Sequence, residues 1–382
     1  MEWKLSELSV DGKGHYGIGA PAIPYDKNKP TYLRITDIND DGTINFLDLK
    51  SVDDEDSNKY LLKENDIVFA RTGNSTGRSY FYQKEHGDFV YAGFLIKFSI
   101  DPQKVNPKIL KYYTHSQEYY NWVKSFDTGG TRGNINAKTF GDMPISLPKR
   151  CVQDKIVGIL SALDAKIENN NKINANLEAQ AQALFKSWFV DFTPFKDQPF
   201  VDSELGPIPQ GWKVGKLGDI CTFKRGKNLL SKNAIDEGVP VVAGGLSPSC
   251  YHNQANTSAP VVTVSGSGAN AGFMRMYHVD VWASDCSFID VSCDYLYFVY
   301  CFLSVNRRLL KHAQTGAVQP HVKPADIHDF DVVIPEEDIV KAFQSIIKEL
   351  LTKVGVNEKE NQRLAALRDT LLPKLMSGEI KL

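Results

Sequence analysis

Two segments of the chain repeat apolar residues at alternating spacings of four and three positions, the pattern of a coiled-coil seam. One seam follows Pro148 and the other follows Pro335. The first seam is Ile156, Leu160, Leu163, Ile167, Asn170, Asn174, Leu177, Ala181, Leu184 and Trp188, and the second is Phe343, Ile347, Leu350, Val354, Asn357, Asn361, Leu364, Arg368, Leu371 and Leu375. Each seam predicts a helix of about 35 residues, or about 50 Å. Pro373 is expected to end or kink the second helix, which leaves Leu375 a doubtful member of its seam.

Both seams carry two asparagines at their middle, and these suggest how the helices pair. In an antiparallel alignment Asn170 faces Asn361, Asn174 faces Asn357, and Leu163 faces Arg368 as the one poorly matched layer. A buried Asn pairs well with Asn and badly with an apolar residue, so two such layers would fix the register at some cost in stability. The pattern favours a pair within one chain. Two alternatives stay open, namely that each helix packs on its own domain or that two copies form a homodimer.

The two halves of the chain repeat one another, and from Thr128 onward the repeat runs without a gap at an interval of 187 residues. The matching segments are Thr128-Gly129-Gly130-Thr131-Arg132-Gly133-Asn134-Ile135 and Thr315-Gly316-Ala317-Val318-Gln319-Pro320-His321-Val322. Further upstream, the glycine loops 73–77 and 268–272 each follow an apolar run, and Trp3-Lys4-Leu5 matches Trp212-Lys213-Val214. Each half is therefore a mixed domain followed by a long helix.

Short β-branched and aromatic runs within each half alternate with Gly, Asn and Asp turns and are typical of strands. The predicted strands are Tyr32–Thr36, Ile67–Ala70, Phe94–Ile100, Val239–Ala243, Val261–Ser265 and Phe288–Val291. One helix is predicted before each Thr-Gly loop, near 107–124 and 295–312. The fold class is predicted as α+β, with two mixed α/β domains joined by two long antiparallel coiled-coil helices in a pseudo-two-fold tandem repeat.

The predicted domain boundaries follow from these segments. They are a first mixed domain at 1–150, a central helical spacer at 151–190, a connector at 191–211, a second mixed domain at 212–335 and a distal helical spacer at 336–382. The connector contains four prolines, as expected of a segment between domains.

Composition narrows the class of protein. The chain has 382 residues and a net charge of −2, so any nucleic-acid-binding face must be a local patch. No metal site is expected, because none of the six cysteines forms a C-x-x-C pair and no histidine cluster accompanies them. The first residues carry no apolar signal segment, and the longest strongly apolar run, Tyr295–Leu303, is too short to span a bilayer. These features predict a reduced, cytoplasmic protein without a membrane partner.

Catalytic motifs are not found in the sequence. There is no P-loop, no G-x-S-x-G elbow, no H-E-x-x-H and no Asn/Asp-Pro-Pro-aromatic motif of a DNA amine methyltransferase. No catalytic residue is therefore assigned, and the chain is expected not to be an enzyme.

Polar loops carry the candidate chemistry. Lys and Arg neutralise phosphates, Asn, Gln and Arg can read base edges through paired hydrogen bonds, and glycines let backbone N–H groups approach phosphate. The candidate DNA-binding residues are Arg71, Asn74, Ser75, Arg78, Thr131, Arg132, Asn134, Asn136, Lys138, Lys224, Arg225, Lys227, Ser267, Asn270, Gln319, His321 and Lys323. Taken singly, each loop could equally be a solvated basic loop. Recurrence at equivalent places in both halves favours DNA binding.

The architecture resembles the specificity subunits of type I restriction–modification enzymes, in which two target-recognition domains alternate with two long helices. The resemblance covers essentially the whole chain. It is carried by the Thr128–Pro148 and Thr315–Pro335 segments, by the connector 204–212 and by Tyr32-Leu33-Arg34-Ile35-Thr36-Asp37-Ile38. The chain departs from the family pattern where Glu-Gln often follows the loop proline, since Val152-Gln153 and Asp338-Ile339 stand there.

The resemblance implies a specific function. Each recognition domain would read one half of a split, asymmetric target in double-stranded DNA, and the helices would act as a ruler for the unread spacer. The helices would also dock two methyltransferase subunits, to which restriction subunits can be added. S-adenosylmethionine, ATP and Mg would be bound by those partners and no cofactor by this chain. Two other readings stay open: a coiled-coil scaffold for protein partners without DNA readout, and a stand-alone DNA-modifying enzyme.

Overall fold

The protein is described by a computed structural model that covers residues 2–126, 133–316 and 320–382. The chain divides into two compact units. Unit 1 comprises Met1–Lys166 and Arg363–Leu382, and unit 2 comprises Ile167–Gln362. Each unit thus combines one mixed domain with part of each long helix. The segment boundaries given above stay a prediction.

Unit 1 is built from short strands and helices that precede the first long helix. Its elements are β1 (Glu2–Lys4), α1 (Leu5–Leu8), β2 (His15–Tyr16), β3 (Ala22–Pro24), β4 (Thr31–Leu33), β5 (Lys50–Val52), β6 (Asp66–Ala70), β7 (Ser79–Phe81), β8 (Phe89–Tyr91), β9 (Leu95–Ser99), α2 (Ile109–Tyr113), α3 (Gln117–Lys124), α4 (Ala137–Gly141) and β10 (Pro144–Ser146). The strands form the sheets β2-β9-β6-β7 and β3-β5-β4-β8 and the pair β1-β10. Strand β6 is buried along its whole length, which places it at the centre of the unit.

Unit 2 repeats this plan. The remaining elements are α5 (Arg150–Phe189), β11 (Phe200–Val201), β12 (Ile208–Pro209), β13 (Lys213–Lys216), β14 (Lys224–Arg225), β15 (Val239–Val242), β16 (Cys250–His252), β17 (Val261–Ser265), β18 (Met274–Tyr277), β19 (Trp282–Ala283), β20 (Cys286–Ile289), α6 (Leu296–Val305), α7 (Arg307–His312), α8 (Pro324–His328), β21 (Asp331–Ile334) and α9 (Glu337–Ser377). The sheet β14-β20-β17-β18 has the same strand order as β2-β9-β6-β7, with the buried strand β17 in the place of β6. The mixed α+β repeat predicted from the sequence is confirmed.

All six predicted strands are present; β17 has the predicted ends, and the ends of the other strands differ by at most three residues. The two predicted short helices are each divided in two. In unit 1 the break falls after Tyr113, because Ser116 starts a new helix by accepting a hydrogen bond from the Tyr119 amide. In unit 2 it falls at Asn306, between α6 and α7.

The long helices have 40 residues in α5 and 41 in α9, slightly more than the predicted length. Within unit 2 they run antiparallel. Nδ2 of Asn170 donates to Oδ1 of Asn361 over 2.8 Å, and Nδ2 of Asn357 donates to Oδ1 of Asn174 over 2.8 Å. Towards the other end of this segment the rings of Trp188 and Phe343 lie 5.7 Å apart. From one of these contacts to the next, the position advances along α5 by as many residues as it moves back along α9. The register is therefore constant along the segment.

The end of α5 buries more than one row of side chains. Phe185 and Phe189 lie outside the predicted seam, yet both are buried. Both rings contact Phe298 of α6 and Phe343 of α9, at centroid distances between 4.8 and 5.9 Å. This part of α5 therefore packs on the second domain as well as on its partner helix, which widens its apolar stripe.

Two residues that disfavour helices lie inside α9. A Cβ at Gly355 would come within 2.6 Å of the His278 side chain, so the glycine permits close packing of the helix on the loop after β18. Pro373 was expected to end or kink the helix, and the expectation that the helix ends there is wrong, since α9 continues to Ser377. Leu372 and Leu375 are buried in the unit 1 core, and the free energy gained by this burial offsets the cost of the backbone hydrogen bond that the proline lacks.

Among the described residues, no helix is both long enough and apolar enough to cross a membrane.

Candidate nucleic-acid interface

Two loops that are distant in the sequence meet beside the sheet of unit 1. Arg71 and Thr72 follow β6, and Asn134 lies just before α4. Thr72 and Asn134 form an isolated antiparallel bridge, and the Ile135 amide donates to the Arg71 carbonyl over 2.9 Å. The Thr76 hydroxyl also donates to the Gly133 carbonyl over 3.0 Å. The glycine loop and the end of the Thr-Gly loop therefore form one surface.

The same two loops meet in unit 2. Ser267 and His321 form an isolated antiparallel bridge, and the Val322 amide donates to the Gly266 carbonyl over 3.1 Å. Thr315 and His321 exchange backbone hydrogen bonds of 2.9 and 2.8 Å. Asn134 and His321 are partners in the sequence repeat, so both domains join their loops at equivalent residues. We call these surfaces the first and second paired loops.

The first paired loops present several of the candidate side chains. Nη2 of Arg71 donates to Oδ1 of Asn134 over 3.2 Å, and its guanidinium lies 5.0 Å from the centre of the Tyr16 ring. Asn74 is exposed, whereas Ser75 is buried beneath the loop. Arg78 is engaged within the domain, because its Nε donates to Asp40 over 2.6 Å and its Nη1 to the Ile38 carbonyl over 3.1 Å.

Asn136 and Lys138 lie at the start of α4. Oδ1 of the Asn136 side chain accepts a hydrogen bond from the Thr139 amide over 2.9 Å and so caps this helix. Lys138 is exposed on the first turn. In unit 2, Lys323 occupies the corresponding cap position of α8. Its side chain cannot accept a hydrogen bond, and the Asp326 carboxylate instead accepts from the Lys323 amide over 2.7 Å.

The candidate cations of the second domain lie on the edge strand β14 and just after it. Lys224 and Lys227 are exposed. Arg225 forms an ion pair with Asp285, and the same carboxylate accepts a hydrogen bond from the Ser267 hydroxyl. Asn270, Ser267 and His321 are partly exposed at the second paired loops. Three candidates, Thr131, Arg132 and Gln319, lie outside the described residues, so their roles stay predictions.

Sequence reasoning missed two residues that the structure brings into these surfaces, Tyr16 and Asp285. A signal for Tyr16 was present. When the Trp3 and Trp212 match is continued without a gap, Tyr16 falls on Arg225 and Gly17 falls on Gly226. Asp285 gives no comparable signal, because only the fold brings it beside Arg225. In the part of the chain that the structure describes, no group of three His, Cys, Asp or Glu residues could hold a metal ion.

A family model described as "Type I restriction modification DNA specificity domain" matches the chain twice, at residues 23–179 and 209–368. The two matches together cover most of the sequence. The chain belongs to this family of specificity proteins. The two copies of the specificity domain coincide with the two halves of the sequence repeat, and each contains one set of paired loops.

Curated relatives agree with this family. The type I restriction enzyme MjaIX specificity subunit of Methanocaldococcus jannaschii is 30% identical over 296 residues, which are 71% of this chain and 68% of that protein. The type I restriction enzyme HindI specificity subunit of Haemophilus influenzae is 24% identical over 407 residues, covering 84% of this chain and 88% of that protein.

A solved structure shares the fold. The crystal structure of a type I restriction–modification system S subunit from M. genitalium matches with a TM-score of 0.55 and 18% sequence identity. The match covers 98% of this chain and 96% of that chain. At this identity the comparison establishes the architecture of the specificity family, and the residues that contact DNA must be inferred from this chain itself.

Proposed function

We propose that this specificity subunit reads a bipartite, asymmetric target in double-stranded DNA and docks methyltransferase subunits, and restriction subunits where these exist, without a catalytic site of its own. The first paired loops read one half-site and the second paired loops read the other. The long helices act as the ruler for the unread spacer between the half-sites. The observation that carries the proposal is the recurrence of the bridged loops, through Thr72 and Asn134 in one domain and Ser267 and His321 in the other.

The side chains at these loops suit duplex DNA. Arg71 offers a guanidinium group that can form paired hydrogen bonds with base edges, and Asn134 accepts one hydrogen bond from it. Lys138, Lys224 and Lys227 offer exposed ammonium groups for phosphate. The two sets differ in nearly every side chain although their backbones correspond. Two different half-sites, and hence an asymmetric target, follow from this difference.

Docking of protein partners rests on apolar side chains that the long helices expose in each unit. These are Ile159 and Leu367 in unit 1 and Ile173, Ile346 and Val356 in unit 2. Exposed apolar residues on a helix can pack against a helix of a partner. We assign methyltransferase subunits as these partners, because a DNA reader without catalytic residues needs a partner to modify the DNA.

The experiment that tests the proposal maps methylated adenine across the host genome with the gene intact and with the gene deleted. We expect a split motif with a fixed unread gap to be methylated only when the gene is intact. The Asn134→Ala substitution should then make the sequence requirement at one half-site less strict. The other half-site and the length of the gap should not change. Lys84→Ala, an exposed lysine outside the paired loops, is the matched control and should leave the whole motif unchanged.

Other results would contradict specific parts of the proposal. Loss at both half-sites in the Asn134→Ala variant would argue against one domain for each half-site. Methyl transfer by the purified chain alone would indicate an enzyme. Binding of protein partners without any DNA binding at low salt would indicate a scaffold, because phosphate contacts make DNA affinity strongest at low salt.

A further inference from the structure

The central sheets of the two domains can be compared strand by strand through their hydrogen bonds. The Arg71 amide donates to the Phe94 carbonyl over 3.0 Å, and the Gly266 amide donates to the Asp285 carbonyl over 3.0 Å. Each acceptor lies just before the central strand β9 or β20. Arg71 and Gly266 therefore occupy the same place in the two domains, and so do Phe94 and Asp285.

The edge strands correspond in the same way. Tyr16 of β2 pairs with Ile96 of β9, and Arg225 of β14 pairs with Ser287 of β20. The following glycine amide donates to the first residue of the central strand in both domains, from Gly17 over 3.2 Å and from Gly226 over 2.8 Å. Tyr16 and Arg225 are thus structural equivalents.

These equivalences show that the arginine stands at a different position in each domain. It follows β6 in the first domain and lies on the edge strand β14 in the second. In the first domain the guanidinium comes from Arg71, and Tyr16 on the edge strand supplies the ring beneath it. In the second domain the guanidinium comes from the edge strand, at Arg225, and the position of Arg71 is a glycine. A Cβ added to Gly266 would lie 2.3 Å from Nη1 of Arg225, so the absence of a side chain at Gly266 is what makes room for this guanidinium.

Each guanidinium is held in place by its neighbours. Tyr16 is fixed at its far end, where its hydroxyl accepts a hydrogen bond from the Ala137 amide over 3.1 Å, and Asn134 accepts from Nη2 of Arg71. In the second domain both oxygens of the Asp285 carboxylate are engaged, one by Arg225 and one by the Ser267 hydroxyl. Arg225 nevertheless stays 46% exposed and can be reached by a ligand.

A restrained guanidinium suits a directional contact rather than a purely electrostatic one. Asp285 offsets the charge of Arg225, which weakens attraction to phosphate but leaves further N–H groups of the fork available. Arginine bonded to O6 and N7 of guanine is the commonest specific contact in the major groove, and a fork that is already ordered loses less entropy on binding.

We propose that Arg71 and Arg225 are the base-reading groups of the two domains and that each selects a guanine in its own half-site. Tyr16, Asn134 and Asp285 are positioning residues that orient the two guanidinium groups. This inference rests on the proposed DNA-reading function and adds to it the residue that reads in each domain and the base that it reads.

The test selects bound sequences from a pool of randomised duplex DNA. The complex that the full chain forms in its host is purified through a tag on the chain, and the retained duplexes are sequenced. We expect the Arg225→Lys variant, which keeps the charge but loses the fork, to reduce the preference for a G·C pair at one position of one half-site by about 5- to 100-fold. Arg71→Lys should do the same in the other half-site. Asp285→Asn should weaken the same position as Arg225→Lys, but less.

The matched control is Lys227→Ala, which removes an exposed cation next to Arg225. This variant should bind all duplexes more weakly and retain the motif. The inference is overturned if Arg225→Lys keeps the full G·C preference, or if it weakens all sequences to the same extent. If the unsubstituted complex selects no split motif, the proposed function itself fails. Should Arg225→Lys lower the melting temperature, Asp285→Asn provides the same test with the arginine in place.

Discussion

Asn357 donates a hydrogen bond from Nδ2 to Oδ1 of Asn174 over 2.8 Å, and both side chains are buried between α5 and α9. One turn away Asn170 and Asn361 form a similar pair, and Nδ2 of Asn170 also lies 2.8 Å from the Glu360 carboxylate. Shifting one helix by a turn would match only one asparagine of each helix with an asparagine and would place the other two amides against apolar residues, where they lack partners. A buried amide without a partner costs about 1–3 kcal/mol, so the two layers disfavour any other register.

Replacing Asn174→Leu tests this role. The substitution leaves the buried amide of Asn357 opposite an apolar side chain, and we expect it to lower the free energy of unfolding by about 1–3 kcal/mol. Urea unfolding followed by circular dichroism gives the change. The double variant, with Leu at both positions, should recover much of the loss because no amide is then left unpaired. If the double variant is no more stable than the single one, the two residues do not act as a pair.

The Asp164 carboxylate stabilises unit 1 through three contacts. It accepts hydrogen bonds from Nζ of Lys111 over 2.6 Å, from the Tyr112 hydroxyl over 3.0 Å and from Nη1 of Arg368 over 3.0 Å. Burial raises the pKa of Asp164, but Lys111 and Arg368 outweigh it, so that the pKa lies below its ordinary value. Arg368, which faces Leu163 in the alignment of the two seams, thus has a charged partner one residue further along α5.

Asp164→Asn should lower stability at pH 7 by about 2–3 kcal/mol, because it leaves two partly buried cations close together. Since the folded-state pKa of Asp164 is lowered, its contribution is present above the unfolded value near 3.8 and is lost as the pH falls through the folded value. The difference between the two proteins should therefore shrink below about pH 4. Asp369→Asn is the control, because this exposed carboxylate also pairs with Arg368 and should change stability by less than about 0.5 kcal/mol. An equal loss in both variants would contradict the special role of Asp164.

Periodicity and turn residues were enough to predict the strands and the seams, because both follow from residues close together in the sequence. The asparagine layers could also be predicted from the sequence, because an Asn in an otherwise apolar seam indicates where the two helices must be in register. Phe185 and Phe189 were missed because their burial depends on α6, more than a hundred residues away. The prediction that α9 ends at Pro373 was wrong for the same reason. The burial of Leu375 in the unit 1 core, which stabilises the last turn, cannot be inferred from the proline alone.

The candidate surface could be predicted only in part. The sequence repeat identified both glycine loops and both Thr-Gly loops, but not that they are bridged within each domain. The exchange between Arg71 and Arg225 is present in the upstream matches of the repeat, which place Tyr16 against Arg225 and Arg71 against Gly266. The hydrogen bonds of the two sheets show that these matched positions are also structural equivalents.

His278 makes the stability of unit 2 depend on pH. Burial first, and then the charge of Arg275, lower the pKa of His278 to about 4. Its pKa in the unfolded chain is near 6.5, so the unfolded state binds more protons between these values. The contribution of neutral His278 to the stability of unit 2 is therefore fully present above about pH 6.5 and is lost as the pH falls towards about 4.

Replacing His278→Gln removes this titration. We expect the unsubstituted protein to lose about 1–2 kcal/mol more stability than the variant between pH 7 and pH 5, after allowance for partial exposure of the ring. Thermal melts at both pH values provide the comparison. Burial raises the pKa of Glu358 and changes stability in the opposite direction, but it does so in both proteins and cancels in the difference. Equal pH dependence of the two proteins would show that His278 is not the group responsible.

Two substitutions of Asn136 distinguish a role in helix capping from a role in DNA contact. Its side-chain oxygen caps α4 through the Thr139 amide, so Asn136→Ala should lower stability by about 1 kcal/mol, whereas Asn136→Ser keeps a capping oxygen and should cost little. If Asn136 also contacts DNA, Asn136→Ser should weaken binding to the cognate duplex although the protein melts at the original temperature. If its role is only to cap the helix, Asn136→Ser should bind like the unsubstituted protein. Thermal melts together with duplex titrations at one fixed salt concentration distinguish these outcomes, because the serine hydroxyl replaces the cap but not the paired donor and acceptor of the amide.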